Sequence, residues 1–485
     1  MTAAKVLEAP AAAPPATAPP PALLGRIAAY AASRGTSEGL IALRGILLAG
    51  VLGPAAFGSW ALLRLGMRYA ALGGLGVSRG LEFELLHPDN RAGKWRRPAG
   101  VALGFVLLVA GTLATTALAA SFVVPSEDAR LVLRGFAAAG LVEPLYGYAL
   151  VCTRVRKSLR QYAVIETGTS VLHLVAAVAL ARVWGLGGAF AGLAIANVAG
   201  LAAASPWITL RPRWHPAMLR RLLRLGVPVA VTGVVGAMLL TADRWVVAGW
   251  GGQTMLGYYS FGASVATAAT AVAVVVRTVV FAEVYGDAQA GRGALAVRTH
   301  LERAVLPFAR LLPPVLGMLS LAAGPIIAAA MPGYTAAIPS ARLFFFAGAA
   351  MGLVNLASIG AVAAGMQRRL PAYAALALAL TLALAFPALR LGLGLEGVAG
   401  AALAGHLLFA ASVLRLDAGE AGIEGPSRFA ANALLPLVWC AAASVLVGRL
   451  RPGFAPADAA LALGAYLFLL LPLAAGWRAA WRRLA

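Results

Sequence analysis

Residues 101–120 read VALGFVLLVAGTLATTALAA and contain no charged side chain. A helix of about twenty such residues spans the ~30 Å hydrocarbon core of a bilayer. A second run of this kind, AYAALALALTLALAFPA, occupies residues 372–388, and similar runs recur from Leu40 nearly to the C-terminus. Transmembrane β-strands would instead alternate apolar and polar residues over segments of about ten. The pattern therefore predicts an all-α, polytopic membrane protein.

The composition agrees with this interpretation. Of the 485 residues, 61% are hydrophobic and 12% are charged, against roughly 45–50% and 25% in a soluble domain. The formal net charge of +22 would suggest nucleic-acid binding in a soluble protein. Here the basic residues lie in short loops between apolar runs, so the positive-inside rule explains them and no nucleic-acid partner is expected. The only cysteines, Cys152 and Cys440, lie in apolar stretches, so neither a disulfide framework, a metal site nor a cofactor is predicted.

Apolar runs separated by glycine, proline and charged residues predict about fourteen transmembrane helices. Their predicted ranges are 30–52, 58–82, 98–122, 131–152, 159–181, 186–207, 225–249, 258–281, 304–330, 338–364, 370–389, 396–414, 430–449 and 457–477.

Basic residues concentrate in alternate connections between these helices. The clusters are Arg91, Lys94, Arg96 and Arg97; Arg154, Arg156, Lys157 and Arg160; Arg211, Arg213, Arg220, Arg221 and Arg224; Arg368 and Arg369; and Arg478, Arg482 and Arg483. The intervening connections 53–58 and 249–257 contain no Lys or Arg. Because cytoplasmic loops are enriched in Lys and Arg, both termini are predicted to face the cytoplasm.

Two pairs of glycine-containing turns indicate an internal repeat. Residues 53–60, GPAAFGSW, match residues 252–259, GQTMLGYY, at an offset of 199, and GLGG at 185–188 matches GLEG at 394–397 at an offset of 209. Matched turns on the same side of the membrane indicate a parallel repeat. The predicted domains are a largely disordered cytoplasmic tail (1–29), an N-terminal six-helix bundle (30–210), a cytoplasmic linker (211–224), a C-terminal six-helix bundle (225–415), and two further helices with a cytoplasmic tail (416–485).

Three segments carry a resemblance to a known family. They are LGPAAFGSWALL at 52–63, LLRLGVP at 222–228, and ADRW at 242–245 followed by LGYYS at 256–260. Together they resemble the multidrug/oligosaccharidyl-lipid/polysaccharide (MOP) exporter superfamily, and within it the polysaccharide or O-antigen flippases. One departure is that many relatives place an arginine just before the first LG, where this chain has Gly50-Val51.

The resemblance implies two six-helix bundles around a central cavity and transport by alternating access. It also implies that an undecaprenyl-diphosphate-linked oligosaccharide is moved across the bacterial inner membrane for O-antigen, capsule or exopolysaccharide synthesis. Glycan polymerases or glycosyltransferases of the same pathway would then be partners.

Charged residues inside the apolar runs are the candidate site, because each costs about 2.5–3.5 kcal/mol at a helix centre unless it faces protein or water. Arg44, Arg64 and Arg68 lie roughly 10–16 Å from the first outer turn, at 1.5 Å per residue, and are predicted to reach one vestibule between the bundles. Arg64 and Arg68 are four residues apart and would repel each other unless an anion lay between them, as in a phosphate clamp. Arg277 is a fourth candidate for substrate binding. Snorkelling to an interface, or pairing with carbonyl groups, is the alternative.

Four further residues are candidates for gating or coupling: Asp243, Arg244, Glu143 and Glu166. Glu143 and Glu166 can relay protons or bind a cation, or they can be counter-ions of the arginines, which is the preferred interpretation because buried charges usually persist in pairs. For Asp243 and Arg244 the alternative is that they satisfy their charges at the outer interface. His406 is predicted to be a hydrogen-bonded packing residue.

Three functions compete. The excess of intramembrane arginine favours a flippase of a lipid-linked anionic glycan, working among membrane lipids. A multidrug or cation antiporter of the same superfamily would need more membrane carboxylates, and a membrane-embedded glycan polymerase or glycosyltransferase would need a catalytic carboxylate or a large outer loop. No enzyme motif is present, so a transporter rather than an enzyme is expected.

Overall fold

The computed structural model describes residues 21–86, 95–156, 159–287, 293–450, 453 and 456–473; within these ranges, side chains are described except at 21–34, 71–73, 156, 159, 268–287 and 456. The helices are α1 (Pro21–Gly73), α2 (Val77–Leu86), α3 (Arg96–Val123), α4 (Glu127–Arg156), α5 (Leu159–Ala204), α6 (Pro216–Leu239), α7 (Ala242–Asp287), α8 (Gly293–His300), α9 (Leu306–Ala330), α10 (Ile338–Ala363), α11 (Leu370–Arg390), α12 (Gly394–Glu420), α13 (Pro426–Leu450) and α14 (Pro456–Leu469). These ranges contain no strand, and ten of their helical stretches are long and apolar enough to cross a membrane. The prediction of an all-α, multi-pass membrane protein is therefore confirmed, while the count of fourteen spans stays a prediction.

Three of the long helices are broken at a glycine, which in α5 is preceded by a second non-helical residue, Trp184. The breaks are at Gly53 in α1 (φ 74°), Gly185 in α5 (φ 55°) and Gly252 in α7 (φ 70°). Glycine adopts positive φ without the steric penalty of a Cβ atom, so one residue is enough to redirect the chain. The turns expected over 53–58 and 249–257 are accordingly shorter than predicted.

Other helix ends differ from prediction because local signals outweigh the hydrophobic pattern. The helix predicted over 58–82 stops at Gly73, since Leu75 and Gly76 both have positive φ (46° and 75°), and α2 follows as a separate short helix. Helix α6 begins at Pro216, inside the predicted linker, because His215 Nδ1 accepts a hydrogen bond from the backbone N–H of Met218 at 3.1 Å. Helix α1 likewise begins at Pro21, inside the predicted tail.

The two matched turns pack against each other where α1 meets α7. A Cβ atom added at Gly58 would overlap the carbonyl oxygen of Gln253, and one added at Gly257 would overlap the carbonyl oxygen of Pro54. These two contacts are the same contact shifted by the repeat offset of 199. Gly185 and Gly394, related by the second offset, also share a positive φ (55° and 57°). The structure therefore supports the sequence repeat at both pairs of turns.

A second glycine contact joins α2 to α6. A Cβ atom at Gly80 would overlap the carbonyl oxygen of Leu222, and Gly76 and Gly226 exclude each other's Cβ atoms in the same way. Small residues of this kind allow two helix backbones to approach closely.

The last two helices pack on the second half of the chain. Tyr466 of α14 donates a hydrogen bond to the carbonyl oxygen of Pro314 in α9 at 3.3 Å, and Ser320 of α9 shares one with Ser444 of α13 at 2.6 Å.

Because the backbones touch at Gly58, we expect Gly58→Ala to separate α1 from α7 and to lower the melting temperature of the purified protein by about 5 °C or more. The matched control is Gly236→Ala in α6, where a Cβ atom meets nothing within 4 Å, so its melting temperature should stay unchanged or rise slightly. Thermal unfolding in detergent measures both variants, and equal melting temperatures would contradict the contact.

Candidate functional site

A cavity of about 740 Å³ lies in the first half of the chain, and all its lining residues belong to α1–α5 and the turn between α1 and α2. Helix α3 lines it with apolar residues such as Val106 and Leu113, whereas α1, α4 and α5 contribute charged and amide side chains. The vestibule expected between two bundles is thus, among the described residues, a cavity inside the first half. The reason is that α5 packs directly on α1 and α4 and carries the polar side chains that face them.

Arg44 is the most buried cation of this cavity. Its side chain is 5% exposed, and its Cζ atom lies 5.7 Å from the centroid of the Trp60 ring. Among the described residues its direct contact is the face of this ring, and no ion pair is formed. The guanidinium therefore lies inside the protein at the wall of the cavity rather than at an interface.

Arg64 lines the cavity together with a carboxylate. Its Nη1 lies 3.1 Å from Oε2 of Glu143, and the two side chains are 34% and 26% exposed. The charges of both residues act on Arg44. Glu143 is therefore a counter-ion in this structure, as the preferred interpretation of the intramembrane carboxylates predicted.

Helix α5 supplies further polar groups to the cavity: Glu166, His173 and Asn197. Asn197 is 1% exposed and lies close enough to His173 for the two side chains to interact. A cavity lined by buried polar groups of this kind suits water or a polar ligand. Asn197 was missed by the sequence reasoning, and the signal that could have found it is its position 209 residues before His406.

At its other end the cavity reaches the basic connections. Arg79 and Arg154 line it there, and both contact Glu82, at 3.2 Å and 2.7 Å. Because those basic connections are predicted to be cytoplasmic, the cavity runs from the buried arginines toward the predicted cytoplasmic side.

Arg68 lies apart from the other two arginines. It is exposed, is not among the residues that line the cavity, and is acted on electrostatically by Arg244 of α7 as well as by Arg64. Four residues advance a helix by about 400°, so Arg68 is rotated about 40° from Arg64 and turns toward α7. The structure thus brings Arg44 and Arg64 together, while the side chain of Arg277 lies outside the described ones.

Asp243 and Arg244 lie in the second half, away from the cavity. Asp243 is 3% exposed; its Oδ2 accepts a hydrogen bond from the Tyr259 hydroxyl at 2.8 Å, and its Oδ1 accepts one from the backbone N–H of Arg244 at 2.8 Å. The Arg244 side chain donates to the carbonyl oxygen of Leu240 at 3.3 Å. His406 is 7% exposed and packs among the helices of the second half, while its role as a hydrogen-bonded packing residue stays a prediction.

No family model matches the sequence, and no curated protein matches it. Solved structures do match. One is an inward-facing multidrug resistance MATE family transporter of the MOP superfamily, with 15% identity and a TM-score of 0.66, covering 81% of this chain and 98% of that one. Lipid II flippase MurJ in an inward closed conformation has 12% identity and a TM-score of 0.65, covering 92% and 98%. A MOP superfamily transporter from Pyrococcus furiosus, whose binding pocket has reverse polarity, has 16% identity and a TM-score of 0.56, covering 82% and 96%. The chain therefore has the fold of MOP superfamily transporters, as its resemblance predicted.

The pairing of Arg64 with Glu143 predicts how the cavity should respond to an anion. Glu143→Gln removes the competing carboxylate, so we expect inorganic pyrophosphate to bind the purified protein about fivefold more tightly, a gain of ~1 kcal/mol. Isothermal titration calorimetry measures the affinity. The matched control is Glu127→Gln, since that side chain is 94% exposed and lies outside the cavity. An unchanged affinity in Glu143→Gln, or an equal gain in the control, would contradict the assignment.

Proposed function

We propose that this chain exports an undecaprenyl-diphosphate-linked oligosaccharide across a membrane by alternating access. The fold supports a transporter of the MOP type, and one of the structures that share it is a lipid II flippase. The proposal includes fourteen spans in two six-helix bundles, both termini in the cytoplasm of a bacterium, and no enzymatic activity.

The observation that carries the proposal is the Arg44 guanidinium, held at the wall of a polar cavity with no ion pair in the described structure. Its planar donors match two phosphate oxygens at once, and such charge-assisted pairs are roughly twice as strong as neutral hydrogen bonds. A diphosphate in the cavity would meet Arg44 directly and would compete with Glu143 for Arg64. The volume of about 740 Å³ lies within the usual range for sites that enclose a small ligand or a headgroup.

Glu143 and Glu166 have a defined part in this proposal. With the cavity empty, Glu143 balances Arg64, and Glu166 adds a second negative charge to the lining. When the diphosphate enters, it takes over that balance and Glu143 is released from Arg64. The carboxylates then tune affinity and allow the anion to leave again.

A multidrug or cation antiporter is the second candidate, since a MATE family transporter shares the fold and two carboxylates line the cavity. Against it, one of those carboxylates is already bound to Arg64, and Arg44 would repel a cationic drug. A glycan polymerase or glycosyltransferase has no supporting observation in the described structure.

The test uses purified protein in proteoliposomes with a fluorescent prenyl-diphosphate oligosaccharide, and measures the rate at which the lipid crosses the bilayer. We expect Arg44→Ala to slow transport at least about tenfold, because the charge-assisted contact is lost. The transport rate of Arg44→Lys should lie between that of Arg44→Ala and that of the native protein, since an ammonium keeps the charge but not the planar arrangement of donors. The control is Arg182→Ala, which removes an exposed arginine of α5 that does not line the cavity and should transport normally.

Transport at the native rate in Arg44→Ala would contradict the role of Arg44. Efflux of ethidium by the wild-type protein, without movement of the prenyl diphosphate, would favour the antiporter instead.

A further inference from the structure

The connection between α5 and α6 is fixed against the start of α3. The backbone N–H of Arg213 donates a hydrogen bond to the carbonyl oxygen of Gly100 at 2.9 Å. A Cβ atom added at Gly100 would lie 2.9 Å from the carbonyl oxygen of Arg211, and one added at Gly104 would lie 2.9 Å from that of Arg213. Two glycines, one helical turn apart, therefore allow the connection to lie along α3 instead of extending away from it.

This contact sets the depth of the connection in the membrane. Gly100 directly precedes the uncharged run 101–120, and Gly104 lies within it. Lipid headgroups lie at the level where such a run begins, outside the ~30 Å hydrocarbon core. The connection is thus held at the level of the headgroups, on the side of the membrane that is predicted to be cytoplasmic.

The side chains exposed on this surface are basic and aromatic. Arg96 and Arg97 at the start of α3 are exposed, as are Arg211 and Arg213 of the connection. Trp214, the next residue, is 63% exposed, and tryptophan is typical of the membrane–water interface. These five residues are called the basic patch below.

The charge of the basic patch is not balanced within the described structure. Residues 95–123 and 205–224 contain no Asp or Glu. The two carboxylates of α2, which packs on α3 and α6, are already engaged: Glu82 contacts Arg79 and Arg154, and Glu84 contacts Arg221. None of the four arginines of the basic patch forms an ion pair with a described residue.

The two parts of the basic patch meet at a pair of donors. Nη2 of Arg97 contacts Nε2 of His215, whose Nδ1 accepts the hydrogen bond from the backbone N–H of Met218. A neutral imidazole has one acceptor nitrogen, so Nε2 carries the proton and both groups at this contact are donors. An anionic oxygen beside them would accept from both.

We propose that the basic patch binds the phosphate of an anionic phospholipid, such as phosphatidylglycerol, in the predicted cytoplasmic leaflet. Clustered arginines beside a membrane span attract anionic headgroups, and their planar donors match phosphate oxygens. The exposed side chains of Leu210 and Trp214 would contact the acyl chains next to the bound headgroup. The proposal concerns a lipid that stays in its leaflet, so it does not depend on the transported substrate.

Positive charge in a cytoplasmic connection does not by itself make a lipid site. Arg368 and Arg369 are a second exposed basic pair in a connection predicted to lie on the same side. Residues 365–372 around them contain no aromatic side chain. The basic patch differs by its aromatic residue and by its fixed position along a membrane span.

A lipid bound at the basic patch would join the two halves of the chain. Arg97 belongs to α3, in the first half, and its contact His215 is the N-cap of α6, the first helix of the second half. A phosphate shared by Arg97 and Arg213 would hold these elements together. Phosphatidylglycerol should therefore raise the melting temperature of the protein more than phosphatidylcholine does.

The experiment is native mass spectrometry of the purified full chain in detergent, titrated with phosphatidylglycerol or with phosphatidylcholine, which counts the lipids bound. We expect the first phosphatidylglycerol to bind at least about tenfold more tightly than phosphatidylcholine. Arg211→Gln combined with Arg213→Gln removes two charges and keeps part of each stem, so it should weaken phosphatidylglycerol binding about tenfold and leave phosphatidylcholine binding unchanged. The matched control, Arg368→Gln combined with Arg369→Gln, removes the same charge and should retain the first phosphatidylglycerol.

A second variant, Trp214→Ala, changes an exposed side chain and should weaken the binding of both lipids about threefold, because an interfacial aromatic contact is lost. Melting temperatures check that each variant is folded.

Equal affinity of the native protein for the two lipids, or an equal loss in the control pair, would overturn the proposal. So would unchanged binding in Trp214→Ala. Displacement of phosphatidylglycerol by an equimolar prenyl diphosphate would also overturn it, since the basic patch would then be a site where the transported lipid enters. Because transport is not measured, failure here is distinct from failure of the proposed function.

Discussion

A charge buried between helices must be compensated within the protein, and this constraint governs the arrangement of the polar residues in this chain. The energy of an isolated charge in a medium of low dielectric constant is large, so such groups persist only with a partner or beside water. Arg64 forms an ion pair with Glu143, and Asp243 accepts hydrogen bonds from Tyr259 and a backbone amide. Arg44 lies over an aromatic ring at the wall of a cavity. The cavity lies where the helices of the first half bring Arg44 and the Arg64–Glu143 pair together.

Backbone contact at glycine provides the frame that holds these groups in place. Gly58 and Gly257 let α1 and α7 touch, and Gly80 does the same for α2 and α6. Two halves joined at such contacts can pack closely without large side chains between them. The contact residues lie on the helices that carry the buried charges, since α1 bears Arg44 and Arg64 and α7 bears Asp243. Any movement of one half against the other therefore changes the surroundings of these charges.

The two halves carry opposite charges at equivalent positions. Arg44 lies over the ring of Trp60 in the first half, and at the repeat offset of 199 Asp243 accepts a hydrogen bond from the hydroxyl of Tyr259 in the second. The repeat thus keeps the pairing of a buried charge with an aromatic residue while the sign of the charge changes, without any change in the fold.

The hydrophobic pattern by itself determined that the chain is an all-α membrane protein, because runs such as 101–120 are stable only as helices in lipid. The glycine turns revealed the repeat, because a residue at positive φ has a recognisable identity, and the motifs indicated the fold. The choice of Arg44 and Arg64 as candidate site residues also followed from sequence, since charges in hydrocarbon are expensive. What only the tertiary structure decided was which charges meet. Helix rotation separates Arg68 from Arg64 despite their favourable spacing, and the packing of α5 on α1 encloses the cavity within one half. The burial of Asn197 was likewise decided by the tertiary structure, because the apolar pattern of a helix does not show which of its faces packs on its neighbours.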